Sequence, residues 1–201
     1  MEHWIANVWV ESTSSSSYFQ MTFDPKLLLS RIRVPAGFVF AALYLYFSTP
    51  SGRSLWIGGS LAFVGIVIRA WATGHIRKND ELTISGPYAL TRNPLYLGSF
   101  IIGLGFSIAG RNFIIPAVFL ACFAAIYAPV MQREMDYLKQ KFPGEYERYQ
   151  ATVPLFFPRL TPEGMGQGHF SFHRYVKHRE YQALAGFVAA ISFLILKLHT
   201  S

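Results

Sequence analysis

The chain has 201 residues, of which 52% are hydrophobic, 16% aromatic and only 14% charged, with a formal net charge of +7. Soluble domains carry about 25% charged residues, so this composition excludes a disordered chain, a collagen-like or low-complexity scaffold and a coiled coil, and it points to lipid as a solvent. The single cysteine, Cys122, excludes an intrachain disulfide and a Cys-rich zinc site, and the basic residues are interleaved with apolar runs instead of gathered into a nucleic-acid-binding module.

In chain order, residues 1–22 read as a mobile tail: a Ser/Thr run from Ser12 to Ser17 follows a short mixed stretch around Trp4 and Trp9, without the basic start and apolar core of a signal peptide. Met21 is a possible alternative start. Five apolar runs follow, roughly Val34 to Ser48, Leu55 to Gly74, Pro94 to Ala109, Phe113 to Met131 and Gln182 to Leu198. A helix needs about 20 residues to cross the hydrocarbon, so each is a candidate span, the first and third being short.

The charges alternate with these runs. Lys26, Arg31 and Arg33 precede the first, Arg77, Lys78 and Arg92 separate the second from the third, and eight more cations between Arg133 and Arg179 separate the fourth from the fifth. The opposite side receives only Arg53 and Arg111. Five buried helices of a water-soluble protein would show no such alternation, whereas the positive-inside rule predicts it, with the amino terminus cytoplasmic and the carboxyl terminus outside. The expected fold is all-α: a polytopic membrane helix bundle of about five transmembrane helices with a cytoplasmic amphipathic helix. Residues 23–160 form its core, 161–180 a Gly- and Pro-containing linker, and 181–201 the last membrane helix.

Between the second and third runs lies Gly86-Pro87-Tyr88-Ala89-Leu90-Thr91-Arg92-Asn93-Pro94-Leu95-Tyr96-Leu97-Gly98. Gly86-Pro87 marks a turn, and Asn93-Pro94 is a helix start, with Asn as N-cap and Pro at the first helical position. The helix end so formed carries a partial positive charge suited to a carboxylate or phosphate. After the fourth run, Met131, Met135, Leu138 and Phe142 recur at helical spacing opposite charged residues, the pattern of a helix lying along the membrane surface.

Only Gly110-Arg111-Asn112 separates the third and fourth runs, so they form a tight antiparallel hairpin. The return of the hairpin brings Arg92, Asn93 and Tyr96 to the same edge as Arg133 and Glu134. Tyr88 and Tyr96 there offer aromatic faces to a cation or an adenine ring, and Glu134 offers an acceptor to a hydroxyl or amine. Such a site suits a zwitterionic sulfonium nucleotide, of which S-adenosylmethionine is one.

The same residues carry a family resemblance. Gly86-Pro87-Tyr88-x3-Arg92-Asn93-Pro94-x-Tyr96-x-Gly98, followed by Glu134-x3-Leu138-x3-Phe142-x-Gly144-x-Tyr146-x2-Tyr149, resembles the integral-membrane methyltransferases of the isoprenylcysteine carboxyl methyltransferase and phospholipid methyltransferase group. The resemblance implies an S-adenosylmethionine pocket on the cytoplasmic side touched by Leu82, Thr83, Tyr88, Asn93, Pro94, Leu95, Tyr96 and Glu134. It also implies a catalytic group of Glu134 with Arg133 and Arg92, no metal, and a lipophilic or prenylated acceptor reaching the site from the membrane lipids. The chain departs from the pattern in having Asn93 for a usual His, Met135 for a second acid, Asp80 for a His, and Val130 or Met131 for a substrate-binding Arg. These departures leave the acceptor open between an isoprenylcysteine-like carboxylate and a lipid amine or hydroxyl.

Two other readings fit parts of the pattern: an NADPH-dependent membrane reductase of the sterol type, and a non-catalytic membrane scaffold. Arg69 within the second run either serves the site or snorkels to the membrane edge. Pro129 should kink the fourth helix. Ala183, Gly186 and Ala190 give the last helix a small-residue face through which the chain could pair as a homodimer.

Overall fold

The computed structural model describes residue 39 and residues 41–77, 81–112, 114–161 and 168–200. The expected tail, residues 1–22, lies outside the described residues. After a helical stretch over 41–47 come α1 (Gly52–His75), a 3-10 turn (Gly86–Ala89), α2 (Pro94–Ala109), α3 (Ile114–Lys141), α4 (Glu145–Thr152), α5 (Phe172–Lys177) and α6 (Tyr181–Thr200). The described residues are helical or irregular, with no strand among them.

Three helices, α1, α3 and α6, are long and apolar enough to cross a membrane, and α2 is a shorter apolar helix. Large side chains such as Trp56 and Leu196 are 80% and 66% exposed, as an outer surface facing acyl chains requires. Five full spans are therefore not what is described: three helices have spanning length, the third run is 16 residues long, and the first run is helical over 41–47 with part of it outside the described residues.

Local chemistry sets the helix ends. Ser51 caps α1 through a reciprocal box, its hydroxyl accepting from Ser54 N–H at 3.2 Å while Ser54 Oγ accepts from Ser51 N–H at 2.9 Å. Asn112 Oδ1 accepts from Ile114 N–H at 3.0 Å at the start of α3, and Arg111, at φ 51°, takes the left-handed conformation that turns the hairpin.

The tightest packing joins α1 to α2. A Cβ on Gly58 would lie 2.4 Å from Ala109 N, one on Gly65 2.6 Å from Gly98 O, and one on Gly105 2.5 Å from Ala62 N. In lipid there is no hydrophobic force between helices, so small residues that let two backbones touch supply the association through dispersion and close polar contacts. The α2–α3 face is instead aromatic: Phe100 meets Phe119 and Phe123 at 5.9 and 5.2 Å, and Phe123 stacks on Tyr127 at 4.5 Å. At its far end α6 is held by Lys197, whose ammonium donates to Leu45 O and Tyr46 O, both at 2.8 Å.

Two local expectations change. The stripe of Met131, Met135, Leu138 and Phe142 is not a separate surface helix; it is the continuation of α3, which runs through Pro129 as one element of 28 residues. At 1.5 Å per residue such a helix is about 42 Å long, longer than a hydrocarbon core of about 30 Å, so its last turns project from the bilayer. There Met135, Leu138 and Phe142 pack on Leu82, Tyr146, Tyr149 and Val153. Of the stretch 161–180, read as a linker, residues 162–167 lie outside the described residues, while 168–180 contain α5 and pack on α1: Arg174 Nη1 donates to His75 O at 3.0 Å, and a Cβ on Gly74 would meet the Phe170 ring at 2.2 Å.

Candidate functional site

The segment from Leu82 to Asn93 is shaped by one glycine and a set of backbone bonds. Gly86 has φ +59°, and a Cβ there would lie 2.7 Å from His75 Nε2, so both conformation and space demand glycine. The ring of His75 is held from its other side, with Nδ1 2.9 Å from Trp71 O. The 3-10 turn that follows buries Tyr88 and presents its carbonyl to Tyr149, whose hydroxyl donates at 2.7 Å.

A loop from Val153 to Arg159 then lies along the segment. Arg92 N–H donates to Pro154 O at 2.9 Å, Arg159 N–H to Leu90 O at 3.1 Å, Thr91 Oγ1 to Phe156 O at 2.9 Å and Asn93 Nδ2 to Leu155 O at 2.9 Å. Sequence reasoning missed this loop. Apart from Arg159, its backbone carbonyls do the holding, and a carbonyl carries no residue-type signature.

The two separated stretches of the motif meet at the end of the α2–α3 hairpin. Tyr96, in the first turn of α2, donates its hydroxyl to Glu134 Oε2 of α3 at 3.1 Å. The Tyr96 ring packs edge-on against Tyr127 at 5.4 Å. The hydroxyl of Tyr88 is buried without a hydrogen-bond partner among the described residues. Burial, first, and then the nearby Glu134 carboxylate push its pKa well above the ordinary tyrosine value, with Arg69 opposing. Tyr88 is therefore held as a neutral O–H whose donor capacity is unspent, and leaving such a group buried costs about 1–3 kcal/mol.

The other expected residues take different places. Asn93 stands at the N-cap of α2 as expected, but makes no side-chain capping bond; its Nδ2 donates instead to Leu155 O. Arg92 turns toward α3 and α4, with Nη1 3.7 Å from Met135 Sδ and 3.5 Å from the Tyr146 hydroxyl, while its buried Nε has no partner among the described residues. Leu82 is a member of the apolar cluster under α4, and Thr83 Oγ1 accepts from Arg77 N–H at 2.9 Å. Pro94 is buried at the first position of α2, and Leu95 O accepts from Ser99 Oγ at 3.0 Å. Arg133 is half-buried, about 100° around the helix from Glu134.

Arg69 does not snorkel. Its Nε and Nη2 donate to the two carboxylate oxygens of Glu180 at 2.6 and 3.0 Å, and Nη1 donates to Ser99 Oγ at 2.5 Å. An arginine inside an apolar run requires a partner, and that requirement was the available signal for Glu180, which stands at the start of the last run.

Beside the tyrosine pair, a cavity of about 360 Å³ opens between α2, α3, α6 and the 41–47 stretch. Leu45, Ile102, Phe106, Phe119 and Ala190 make its apolar wall, and Ser99 and Tyr127 bring it up to Tyr96. Among the described residues no group of three or more His, Cys, Asp or Glu side chains is placed to hold a metal ion.

Comparison with known proteins bears on the same region. Residues 52–145 match the phospholipid methyltransferase family model. The chain is 36% identical over 141 residues to the cobalt-zinc-cadmium resistance protein CzcN of Cupriavidus metallidurans, covering 64% of this chain and 62% of that protein. It is 34% identical over 115 residues to the nickel-cobalt-cadmium resistance protein NccN of Alcaligenes xylosoxydans xylosoxydans, covering 53% and 54%. It is 27% identical over 138 residues to the protein-S-isoprenylcysteine O-methyltransferase of Schizosaccharomyces pombe, covering 66% and 58%. The chain thus spans about three-fifths of the length of these curated relatives or less. No solved structure matches it.

Proposed function

We propose that this chain, whose residues 52–145 match the phospholipid methyltransferase family model, is an integral-membrane methyltransferase that takes S-adenosylmethionine from the cytoplasm and a lipophilic acceptor from the bilayer. The observation that carries the reading is the bond from Tyr96 to Glu134, which joins the two halves of the motif at one end of the hairpin.

The residues present fit the cofactor. The orphaned Tyr88 O–H can donate to a carboxylate, Glu134 can accept from an ammonium or a ribose hydroxyl, and the faces of Tyr96 and Tyr127 suit a sulfonium or an adenine ring. The first turn of α2, Pro94 to Tyr96, adds a helix end favourable to negative charge. Leu82, Thr83 and Asn93 shape the pocket through packing and backbone, since their side chains are engaged elsewhere. When bound, S-adenosylmethionine supplies an electrophilic methyl group on sulfur.

The protein's own part is to orient and to exclude water. The cavity of about 360 Å³ seats the apolar portion of the acceptor and directs its polar end toward Tyr96. A carboxylate acceptor is already ionised and needs no base; an amine or hydroxyl acceptor gives its proton to Glu134. Arg92, packed against Met135 and Tyr146, supports α3 from behind, and Arg133 supplies positive potential beside Glu134. The excess of Lys and Arg on one side supports reading this end of the bundle, and the amino terminus, as cytoplasmic.

Binding of labelled S-adenosylmethionine and of NADPH to detergent-purified protein tests the proposal. Saturable binding of the first and none of the second is expected. Binding of NADPH alone would replace it with the reductase reading, and binding of S-adenosylmethionine without methyl transfer to any membrane lipid extract would leave a scaffold.

A further inference from the structure

The proposed site has a support that lies outside the family match. Glu180 stands at the corner between α5 and α6, beyond residue 145 where the family model ends. Arg179, the residue before it, has φ +55°, a left-handed conformation in a side-chain-bearing residue. Such backbone strain persists only where surrounding contacts over-determine it. The corner turns Glu180 inward, where it is 9% exposed and meets Arg69 through two parallel N–H to O bonds, the bidentate geometry that fixes a guanidinium in plane and rotation.

Fixed in this way, Arg69 uses its remaining nitrogen on α2. Nη1 donates to Ser99 Oγ at 2.5 Å and to Leu95 O at 3.4 Å, and Ser99 Oγ also lies 3.0 Å from Leu95 O. Leu95 immediately precedes Tyr96. The arginine stem reaches this position over Gly98, where a Cβ would stand 2.5 Å from Arg69 Cγ.

We propose that Glu180 is a positioning residue for the candidate site: acting through Arg69, it sets the first turn of α2 and with it the Tyr96 hydroxyl, so that the α5–α6 corner is a working part of the site. This rests on the proposed function for its catalytic meaning, although the linkage to Tyr96 is independent of it.

The test uses the full chain in lipid nanodiscs, with 3-fluorotyrosine placed at position 96. It compares Glu180→Gln, Arg69→Lys and the charge swap Arg69→Glu with Glu180→Arg. The swap restores an ion pair but leaves no donor at position 69 for Ser99 and Leu95 O, so it separates stability from positioning. Expected are a displaced fluorine resonance and at least tenfold weaker S-adenosylmethionine binding in all three, with thermal stability recovered in the swap. An unmoved resonance and wild-type affinity in Glu180→Gln or in the swap would overturn the proposal. If the wild-type protein binds no S-adenosylmethionine, the proposed function fails, and the fluorine resonance alone decides the linkage: displaced in the variants it stands, unmoved it falls.

Discussion

Tyr96 and Glu134 lie on antiparallel neighbours, α2 and α3, and share a hydrogen bond of 3.1 Å across 38 residues of sequence. The bond closes the end of the hairpin opposite the Gly110-Arg111-Asn112 turn. Its position is a consequence of helix length: α3 must return the chain to the level at which α2 began, and it reaches Glu134 three-quarters of the way along its 28 residues.

Removing either member of the pair should lower cofactor affinity with little effect on folding, because both groups are near the surface. A hydrogen bond to a charged group contributes about 1.5–3 kcal/mol when sheltered, and exposure reduces this. Tyr96→Phe is expected to weaken S-adenosylmethionine binding about threefold to tenfold and Glu134→Ala by more, as measured by calorimetry, with melting temperatures unchanged.

Tyr88→Phe should separate stability from binding in the opposite sense. The phenol oxygen is buried without a partner among the described residues, so its removal is expected to raise or maintain the melting temperature of the cofactor-free protein while lowering S-adenosylmethionine affinity. A fall in both would show that the hydroxyl already serves the fold.

Alkaline pH should destabilise the wild-type protein. Burial raises the pKa of Tyr88 and of Tyr149 above the ordinary value of 10.0, so above that pH the unfolded chain loses protons that the native state retains. The unfolded state then binds fewer protons, and stability falls with rising pH by up to about 1.4 kcal/mol per unit for each tyrosine. Below pH 10 this contribution is fully present. Chemical denaturation between pH 8 and 11 should show the decline, and Tyr149→Phe should reduce its slope while lowering stability at neutral pH by about 1–3 kcal/mol, since the Tyr88 carbonyl loses its donor.

Steric substitution should distinguish the two glycine environments. Gly105→Leu forces side-chain atoms into the Ala62 backbone and is expected to cost 3 kcal/mol or so, at the upper end for overpacking, read as a large loss of melting temperature in detergent. Gly186→Ala, with no atom within 4 Å of the added carbon, should be neutral in the monomer. A loss of self-association in that variant would identify α6 as a pairing face.

Filling the cavity should affect the acceptor and not the cofactor. Ala190→Phe projects a ring from α6 into the space of about 360 Å³. Methyl transfer from labelled S-adenosylmethionine to a membrane lipid extract should drop at least tenfold with cofactor affinity retained. Unchanged transfer would move the acceptor to another surface.

Much of this architecture was readable without coordinates. The apolar runs, the Gly86-Pro87 turn, the Pro94 helix start and the three-residue hairpin are encoded by residue type over short stretches, where hydropathy and backbone preference decide locally. The same logic reached the Tyr96–Glu134 meeting, since a hairpin of known length permits one registration of its ends.

Tertiary structure alone decided which polar groups are spent and which are free. Asn93 holds the N-cap position it was expected to hold, yet its side chain braces the 153–159 loop; Arg69, left open between the site and the membrane edge, became the link between Glu180 and α2. Local sequence cannot distinguish these outcomes, because a side chain's hydrogen bonds go to whatever backbone or carboxylate the folded chain delivers, and that delivery depends on segments more than sixty residues away.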